Sequence, residues 1–594
     1  MVNGQRQVPL QEFETRALTI VVQDPAFRHP GNGHIVTASV QIPAEKIGLG
    51  PWGYRVHVID YDASTRRYWH PHNYGSDSTP PDPFKNKAAR SLDRIIIKDP
   101  QFRQQNVYAI AMRTLARFES ALGRRVSWGF RSHQLKIAPH AFADANAFYS
   151  REDHGLMFGY FEGSKNTVYT SLSHDVIAHE TTHALLDGMR SRYMDPSSPD
   201  QAAFHEGFSD VVALLSVFSI PEALEATLRR SHYDNRVSRG DLTETALINS
   251  TLFTLAGEMG QELSNIRGRA LRQSLGLAFN AKWKKDPVYR EPHKRGEVLV
   301  AAMLRSFIRI WCNRLKPALV GRPDIDIGRV VETASETADY LLTMAIRALD
   351  YTPPVHITFP DYLSAILTAD REMRPDDEPE GYRRIIAGIF DRYGIAPPRT
   401  TWKNEGCWER GVKGDLSYDR VHFGPMQQAP DEAFKFVWEN RTALHICPHA
   451  YTQVISLRPT RRTGPDGFML RETVAEVVQW LTFPMKLFMH WNFMQLKRHT
   501  KQALITLLKK ENPLMALGED FRVPLRGGST LIFNDFGHLK FSIGTRVDNF
   551  HSQYGRLLSL YEAGELGAGR TTSHNFSNLH RGRGVSPAMQ REEW

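Results

Sequence analysis

Apolar residues first come in short β-branched runs, then fall into helical spacing, then return to strand-like runs near the end of the chain. Residues 17–23 (ALTIVVQ), 34–42 (HIVTASVQI) and 54–60 (YRVHVID) are β-branched and separated by Gly/Pro stretches, which predicts three strands. GSDSTPPDP at 75–83 reads as a loop. Val107, Ile110, Ala111, Leu115, Phe118 and Leu122 form one stripe, so a helix is expected from Asn106 to Leu122, with Gly123 at its C-terminal cap. Residues 133–170 read as strands with turns, including GSKN at 163–166. From Ser173 to about Gly394 the spacing is mainly helical, over 173–192, 200–218, 296–315, 328–349, 359–371 and 380–393.

The Pro-rich break IAPPRTTWKNEG (395–406) marks a boundary near 400. Beyond it, TQVISL, a GPDG turn at 464–467 and FMLRE predict one hairpin, and STLIFNDFGHLKFSI (529–543) predicts another. Leu481 to Leu496 is interrupted by Lys486, His490, Asn492 and Gln495, and reads as a core or partner-facing helix, not a membrane span. The Gly/Ser/Arg-rich end is expected to be mobile. The expected division is a β-rich region (1–100), a β-rich lobe (101–195), a helical lobe (196–400), a mixed α/β accessory domain (401–565) and a tail (566–594).

Composition narrows the class. With 594 residues the chain is too long for one core, and 41% hydrophobic against 23% charged residues argues for a globular protein. The opening MVNGQRQVPLQEFETR has no apolar core of a secretory signal. Three widely spaced cysteines, Cys312, Cys407 and Cys447, fit a reducing compartment, so a cytoplasmic location is expected. Of the net charge of +9, residues 401–594 carry +6 (25 basic less 19 acidic), leaving +3 for the first 400. That excess is thinly spread, and neither a nucleic-acid nor a membrane partner is expected.

The candidate chemistry lies in AHETTHALLDG (178–188). Residues four apart on a helix point the same way, so His179 and His183 can hold one ion, while Glu180 projects about 100° away, beside the metal. With 24 histidines in the chain, an HExxH match arises by chance with a probability on the order of a few per cent, so a third ligand is needed to decide. DQAAFHEGFSDVVALL (200–215) supplies one: Glu206 and Asp210 share a face of a second amphipathic helix. Buried carboxylates need a reason. Glu206 as ligand and Asp210 as hydrogen-bond partner of a ligating histidine provide it. His205 is a rival, but only one of two adjacent residues can face the metal. His70-Pro71-His72 and Cys447-Pro448-His449 have no second half at ligand spacing and read as loop residues.

HETTH followed by HEGFSD resembles the thermolysin-type gluzincins, in which HExxH precedes a helix bearing Glu-x-x-x-Asp. ANAFYS (145–150), LMFGYFEG (156–163) and SLSHDVIAHE follow the family order of edge strand, hairpin and zinc helix. REPHKRGEVLVAAM (290–303) sits where these enzymes carry an active-site histidine, and GRALRQS (268–274) resembles their arginine segment. NVYAIAMRTLARFE, SPDQAAFHEGFSDVVALL and DYLSAILTADREM look like a bacterial group of M4-like peptidases. The resemblance covers about residues 100–395.

It implies an α+β fold with a thermolysin-like two-lobed core, the zinc helix between the lobes, and an added mixed α/β C-terminal domain. It implies one Zn2+ on His179, His183 and Glu206, with Glu180 as general base of a zinc endopeptidase. His293 and Tyr193 would donate to the oxyanion, Asn146 and the Ala147 backbone would align a peptide substrate, and Arg272 would bind a substrate carbonyl. Two further readings stand beside it: a gated proteolytic effector of bacterial defence or stress signalling, opened by a protein partner at 401–594, and a catalytically silent zinc-stabilised scaffold. Glu180 beside an open position argues against the scaffold.

The sequence also departs from the family. It shows neither a leader nor a long pro-segment, so restrained or narrow activity is expected. Asp175 matches a calcium-ligand position, but Val217 stands where a second acid belongs, which weakens the case for structural Ca2+. The family's histidine-orienting aspartate is replaced by Val288, leaving Glu291 and Asp286 as candidates.

Overall fold

The computed structural model describes residues 14–74, 81–163, 166–195, 197–230, 235–248, 274, 276–377, 381–463, 467, 469–488, 513–564 and 566. It mixes helix and strand, about 46% and 21%, as an α+β chain requires.

The chain opens with an antiparallel pair, β1 (Thr15–Val21) and β2 (Thr37–Pro43), in which Leu18 faces Val40 and Ile20 faces Ala38. β2 buries every second residue, so one face packs inward. β3 (Val56–Val58) and a short pair, β4 (Tyr61–Asp62) with β5 (Arg67–Tyr68), follow, then helix α1 (Ala89–Lys98). Helix α2 (Pro100–Leu122) starts six residues before the expected Asn106. Asp99 caps it by accepting from the Gln101 amide at 2.9 Å, and Pro100 lies in the first turn, where its missing N–H is not needed. The early turns escaped the apolar pattern because Arg103, Gln104 and Gln105 are buried polar residues with distant partners, among them His140 and Asp60. Gly123 ends the helix in the left-handed region at φ 66°, as expected.

The central sheet runs β3, β6 (Leu135–Phe142), β8 (Gly155–Glu162), β7 (Ala147–Ser150), with β9 (Thr167–Tyr169) paired to β8. β3, β6 and β8 are parallel neighbours, and β7 returns antiparallel as the edge. Helix α3 (His174–Met189) packs against that edge, and α4 (Pro199–Phe218) packs against α3. Ser173 precedes α3 as expected, but its hydroxyl donates to Asp175 Oδ1 at 2.6 Å and caps no amide.

Helices α5 (Pro221–Leu228), α6 (Pro292–Leu315), α7 (Ile327–Arg347), α8 (Phe359–Met373) and α9 (Tyr382–Arg392) complete the helical part, with a short strand pair, β10 (Arg236–Ser238) and β11 (Asp324–Asp326). α4 and α6 meet backbone to backbone. A Cβ on Gly207 would lie 2.8 Å from the Gly296 carbonyl oxygen, and one on Gly296 would lie 3.0 Å from that of Ala203. No single helix among the described residues is long and apolar enough to cross a membrane.

The C-terminal part is an antiparallel sheet, β12 (Tyr451–Thr463), β13 (Met469–Pro484), β14 (Arg522–Asn534) and β15 (Leu539–Thr545), with α10 (Pro430–Glu439) and α11 (Phe550–Glu562). Both expected hairpins are present with longer strands. The helix expected from Leu481 is corrected at its start: β13 continues through Pro484, where Leu481 to Pro484 pair with Leu525 to Arg522 of β14. Residues 485–488 turn helically, and the rest of that stretch and almost all of the tail lie outside the described residues.

One face of this sheet contributes Val474, Ile532, Phe541 and Ile543 to the main apolar core, and the other buries Val477, Leu531 and Phe533 under Phe436 and Val437 of α10. The seam with the core is ionic. Arg462 pairs with Asp350 and with Glu472 at 2.6 Å, Arg124 holds Asp350 at 2.6 and 2.7 Å, and Arg190, at the end of α3, meets Glu476 at 3.0 Å.

Candidate metal centre

Three side chains from two helices converge. His179 and His183 are one turn apart on α3, and Glu206 comes from the second turn of α4; all three are buried. Their ligand atoms lie within 4.8 Å of one another. Glu206 Oε2 is 3.7 Å from His179 Nε2 and Oε1 is 3.8 Å from His183 Nε2. Those separations exceed hydrogen-bond length. They approach the edge of a tetrahedron with metal bonds of about 2.0–2.1 Å, which is about 3.4 Å. Two neutral imidazoles and a carboxylate therefore fit a divalent ion.

Each imidazole is fixed from behind. His179 Nδ1 lies 2.7 Å from Asp210 Oδ1, and a carboxylate can only accept, so the proton sits on Nδ1 and Nε2 presents its lone pair. His183 Nδ1 faces His205 Nδ1 at 2.7 Å and Ser209 Oγ at 3.2 Å. His205, the rival ligand, is thus turned to the rear of His183. Only the Glu206 neighbour points to the front, because consecutive helical positions diverge by about 100°.

Glu180 is fully buried, and its Oε2 accepts from the Tyr149 amide of β7 at 3.0 Å. Asn146 turns its carbonyl to the Gly159 amide at 2.8 Å, so residues 147 and 149 direct their backbone groups to the opposite, outer side of the edge strand. Asn146 Oδ1 accepts from the Ala147 amide at 2.9 Å. Tyr149 ties β7 to α3 a second time: its hydroxyl donates to Asp187 at 2.7 Å, and Arg151 donates to the same carboxylate. Burial and the Asp187 charge push the Tyr149 phenol well above its ordinary pKa, so it remains a donor.

His293, in the first turn of α6, places Nε2 3.2 Å from Glu206 Oε2. The acid that orients it is Glu291, whose carboxylate meets His293 Nδ1. Asp286 instead accepts from the Val288 amide at 3.0 Å. Burial works to raise the Glu291 pKa, but His293 and the amides of residues 293 and 294 outweigh it and hold the carboxyl at about 2. The Gly207–Gly296 contact, one residue from Glu206 and three from His293, brings α4 and α6 close enough for this juxtaposition.

Tyr193 is not oriented as expected. It lies in a 3-10 turn, Ser191–Met194, that directs the ring into the core, where the hydroxyl donates to the Pro353 carbonyl at 2.6 Å and lies 2.9 Å from Thr352 Oγ1. A phenol proton committed to a buried carbonyl does not serve an oxyanion, so this expectation is corrected. Arg272 lies outside the described residues. Asp175 belongs to no metal-sized cluster of three or more His, Cys, Asp or Glu among the described residues.

His205, Ser209 and Tyr149 were missed as supports. The i,i+4 relation between His205 and Ser209 was a visible signal, whereas the Tyr149 amide contact crosses between distant segments and leaves no local pattern. No model of a known protein family matches the chain, and no curated protein matches it.

Proposed function

We propose that this chain is a zinc-dependent endopeptidase with a thermolysin-like catalytic core. The observation that carries the reading is the buried His179–His183–Glu206 group with the Glu180 carboxylate held beside it by the edge strand β7. Two imidazoles and one carboxylate suit zinc and leave a position open, unlike the four-ligand sets of structural sites. A zinc ion there acidifies water and polarises a carbonyl.

The protein groups have separate tasks. Glu180 takes a proton from water as the new C–O bond forms and delivers it to the nitrogen as the C–N bond breaks. The outer edge of β7, at Ala147, receives the substrate as an added strand. His293, oriented by Glu291, donates to the oxygen where charge develops. A carboxylate base in a buried setting loses little to solvent, which favours proton transfer between groups already in reach.

The test compares wild type with Glu180→Gln on a broad peptide library. Glutamine keeps an oxygen to accept from the Tyr149 amide, so fold and zinc content should persist. Cleavage should fall by about 10²–10⁴-fold, the usual share of a general base. If wild type and variant are equally inert although zinc is bound, the silent-scaffold reading takes its place. Glu206→Gln should lower zinc stoichiometry; unchanged metal content would remove Glu206 from the ligand set.

A further inference from the structure

We infer that the cavity between the β12–β13 hairpin and the end of α2 is a binding site for a compact phosphate group. It shares no residue with the metal centre. The cavity has a volume of about 200 Å³ and is lined from four segments: Gly123 after α2, Gln427 before α10, the β12 and β13 strands, and Asn534 and Asp535 at the end of β14. Sites that enclose a whole small molecule span roughly 300–1,000 Å³. This smaller space suits one charged group, free or with the rest of its bearer in solvent.

The strand register sets its charge. Arg461 of β12 lies directly opposite Arg471 of β13, and both line the cavity. Directly opposed residues of an antiparallel pair share a face, and like charges there repel. Arg471 reaches Asp535 only at 3.7 Å, with side chains 53% and 55% exposed, so that pair contributes little. Arg461 directs its Nε–H to Met469 Sδ at 2.8 Å and meets no carboxylate among the described residues. A third guanidinium adds to the excess. Arg347 of α7 is buried against the hairpin and donates to the carbonyls of Ala121, at 2.9 Å, and Thr463, at 3.0 Å, near Gly123 and Arg461. It too meets no carboxylate among the described residues. Burial, and then the Arg462 charge, lower its pKa to about 10. An anion in the cavity lowers the electrostatic cost of all three.

The neutral groups fit the same ligand. Thr473 is fully buried in the cavity wall; its Oγ1 accepts from Gln427 Nε2 at 3.1 Å and keeps its own proton to donate. Glu472 is the buried acid of the lining, and its carboxylate is held elsewhere. Side chains alternate along β13, so it faces away from Arg471 and Thr473, and Arg462 and Lys540 hold it at 2.6 and 2.8 Å. Guanidinium forks match phosphate and carboxylate oxygens alike. Two forks and a hydroxyl match the charge and three oxygens of a phosphate group better than a single carboxylate.

The experiment titrates the full chain with inorganic phosphate, phenyl phosphate and acetate by calorimetry, and follows amide exchange in β12 and β13. Phosphate should bind and slow that exchange. Arg461→Gln and Arg471→Gln should each weaken binding by about tenfold or more, the share of one charge-assisted bond. Both arginines are exposed, so these variants should keep the fold. Asp535→Asn removes the competing carboxylate and should tighten binding by up to about fivefold, the worth of an exposed ion pair. Arg131→Gln, at an exposed position outside the lining, controls for net charge and should change nothing. Phenyl phosphate as tight as phosphate assigns the site to a phosphate ester; phosphate alone assigns it to the free ion. A dissociation constant for phosphate weaker than about 10 mM would overturn the inference. So would acetate binding as tightly, or an affinity unchanged in both arginine variants. Phosphate held at the metal centre instead would leave exchange in β12 and β13 unaltered, which equally overturns it.

Discussion

Replacing Asp350 by asparagine probes how the C-terminal sheet is held to the rest of the molecule. Asp350 is fully buried and accepts two hydrogen bonds from Arg124, at 2.6 and 2.7 Å, and another from Arg462 of β12. Asparagine keeps the shape but removes the charge, and its NH2 group must then face a guanidinium donor. Three charge-assisted bonds at about 1.5–3 kcal/mol each set a gross ceiling of about 9 kcal/mol. The net loss is smaller, because Arg462 keeps Glu472 at 2.6 Å. It corresponds to removing one partner from a buried pair, about 3–5 kcal/mol. Arg410 gives the contrast: it spans the same seam to Glu372 at 2.9 Å, but its side chain is 63% exposed. Arg410→Ala should cost about 1 kcal/mol or less.

Native-state hydrogen exchange of the β12 and β13 amides reads this directly. A loss of about 3–5 kcal/mol accelerates exchange by about two to four powers of ten when opening is at equilibrium. Acidification gives a second reading. Burial works to raise the Asp350 pKa, but Arg124 and Arg462 outweigh it and hold the carboxyl well below its usual range. A carboxylate whose folded pKa is depressed contributes stability above its unfolded pKa of about 3.9 and loses it as pH falls below that value. Wild type should therefore lose β12–β13 protection below about pH 4, and the asparagine variant should lose less over the same range. An acceleration under tenfold at neutral pH, with an unchanged acid profile, would refute the view that Asp350 anchors the sheet.

Two further outcomes test the site and its frame. Tyr193→Phe should leave peptide cleavage within a few-fold of wild type and cost about 1 kcal/mol of thermal stability, because the buried hydroxyl is committed to the Pro353 carbonyl; a hundredfold loss of cleavage in a variant that remains folded would restore its catalytic role. Gly207→Ala should destabilise by about 1–3 kcal/mol, since its Cβ would lie 2.8 Å from a backbone oxygen of α6. Calorimetry measures that cost, and an unchanged melting temperature would show that α4 and α6 are not in backbone contact.

The site was more legible than its frame, for a physical reason. His179, His183, Glu206 and Asp210 are related by helical spacing, which local sequence encodes directly. The hairpins were legible because turn residues and alternation are also local. The start of α2 was not, since the partners that justify burying Arg103, Gln104 and Gln105 lie on other segments. β13 was not read to its end, because Leu481 and Phe483 open an apolar stretch that a helix would also give, while their pairing with β14 joins distant segments. Between Glu291 and Asp286 the sequence left a choice; Glu291 wins as the residue preceding α6, two positions from His293, while Asp286 is committed to a turn amide.

The geometry of the centre therefore depends on the rotation of α4 about its own axis. Along that helix, Glu206 faces the two imidazoles, Asp210 reaches His179, and His205 and Ser209 close behind His183. Consecutive positions differ by about 100°, so a rotation of a few tens of degrees would misalign the ligand and both supports together. The Gly207–Gly296 contact lies next to Glu206 and allows no side chain between the helices, so the rotation is limited by backbone against backbone. The same contact sets the approach of His293 to Glu206. A substitution in the glycine pair should thus disturb the placement of Glu206, Asp210, His205 and His293 at once.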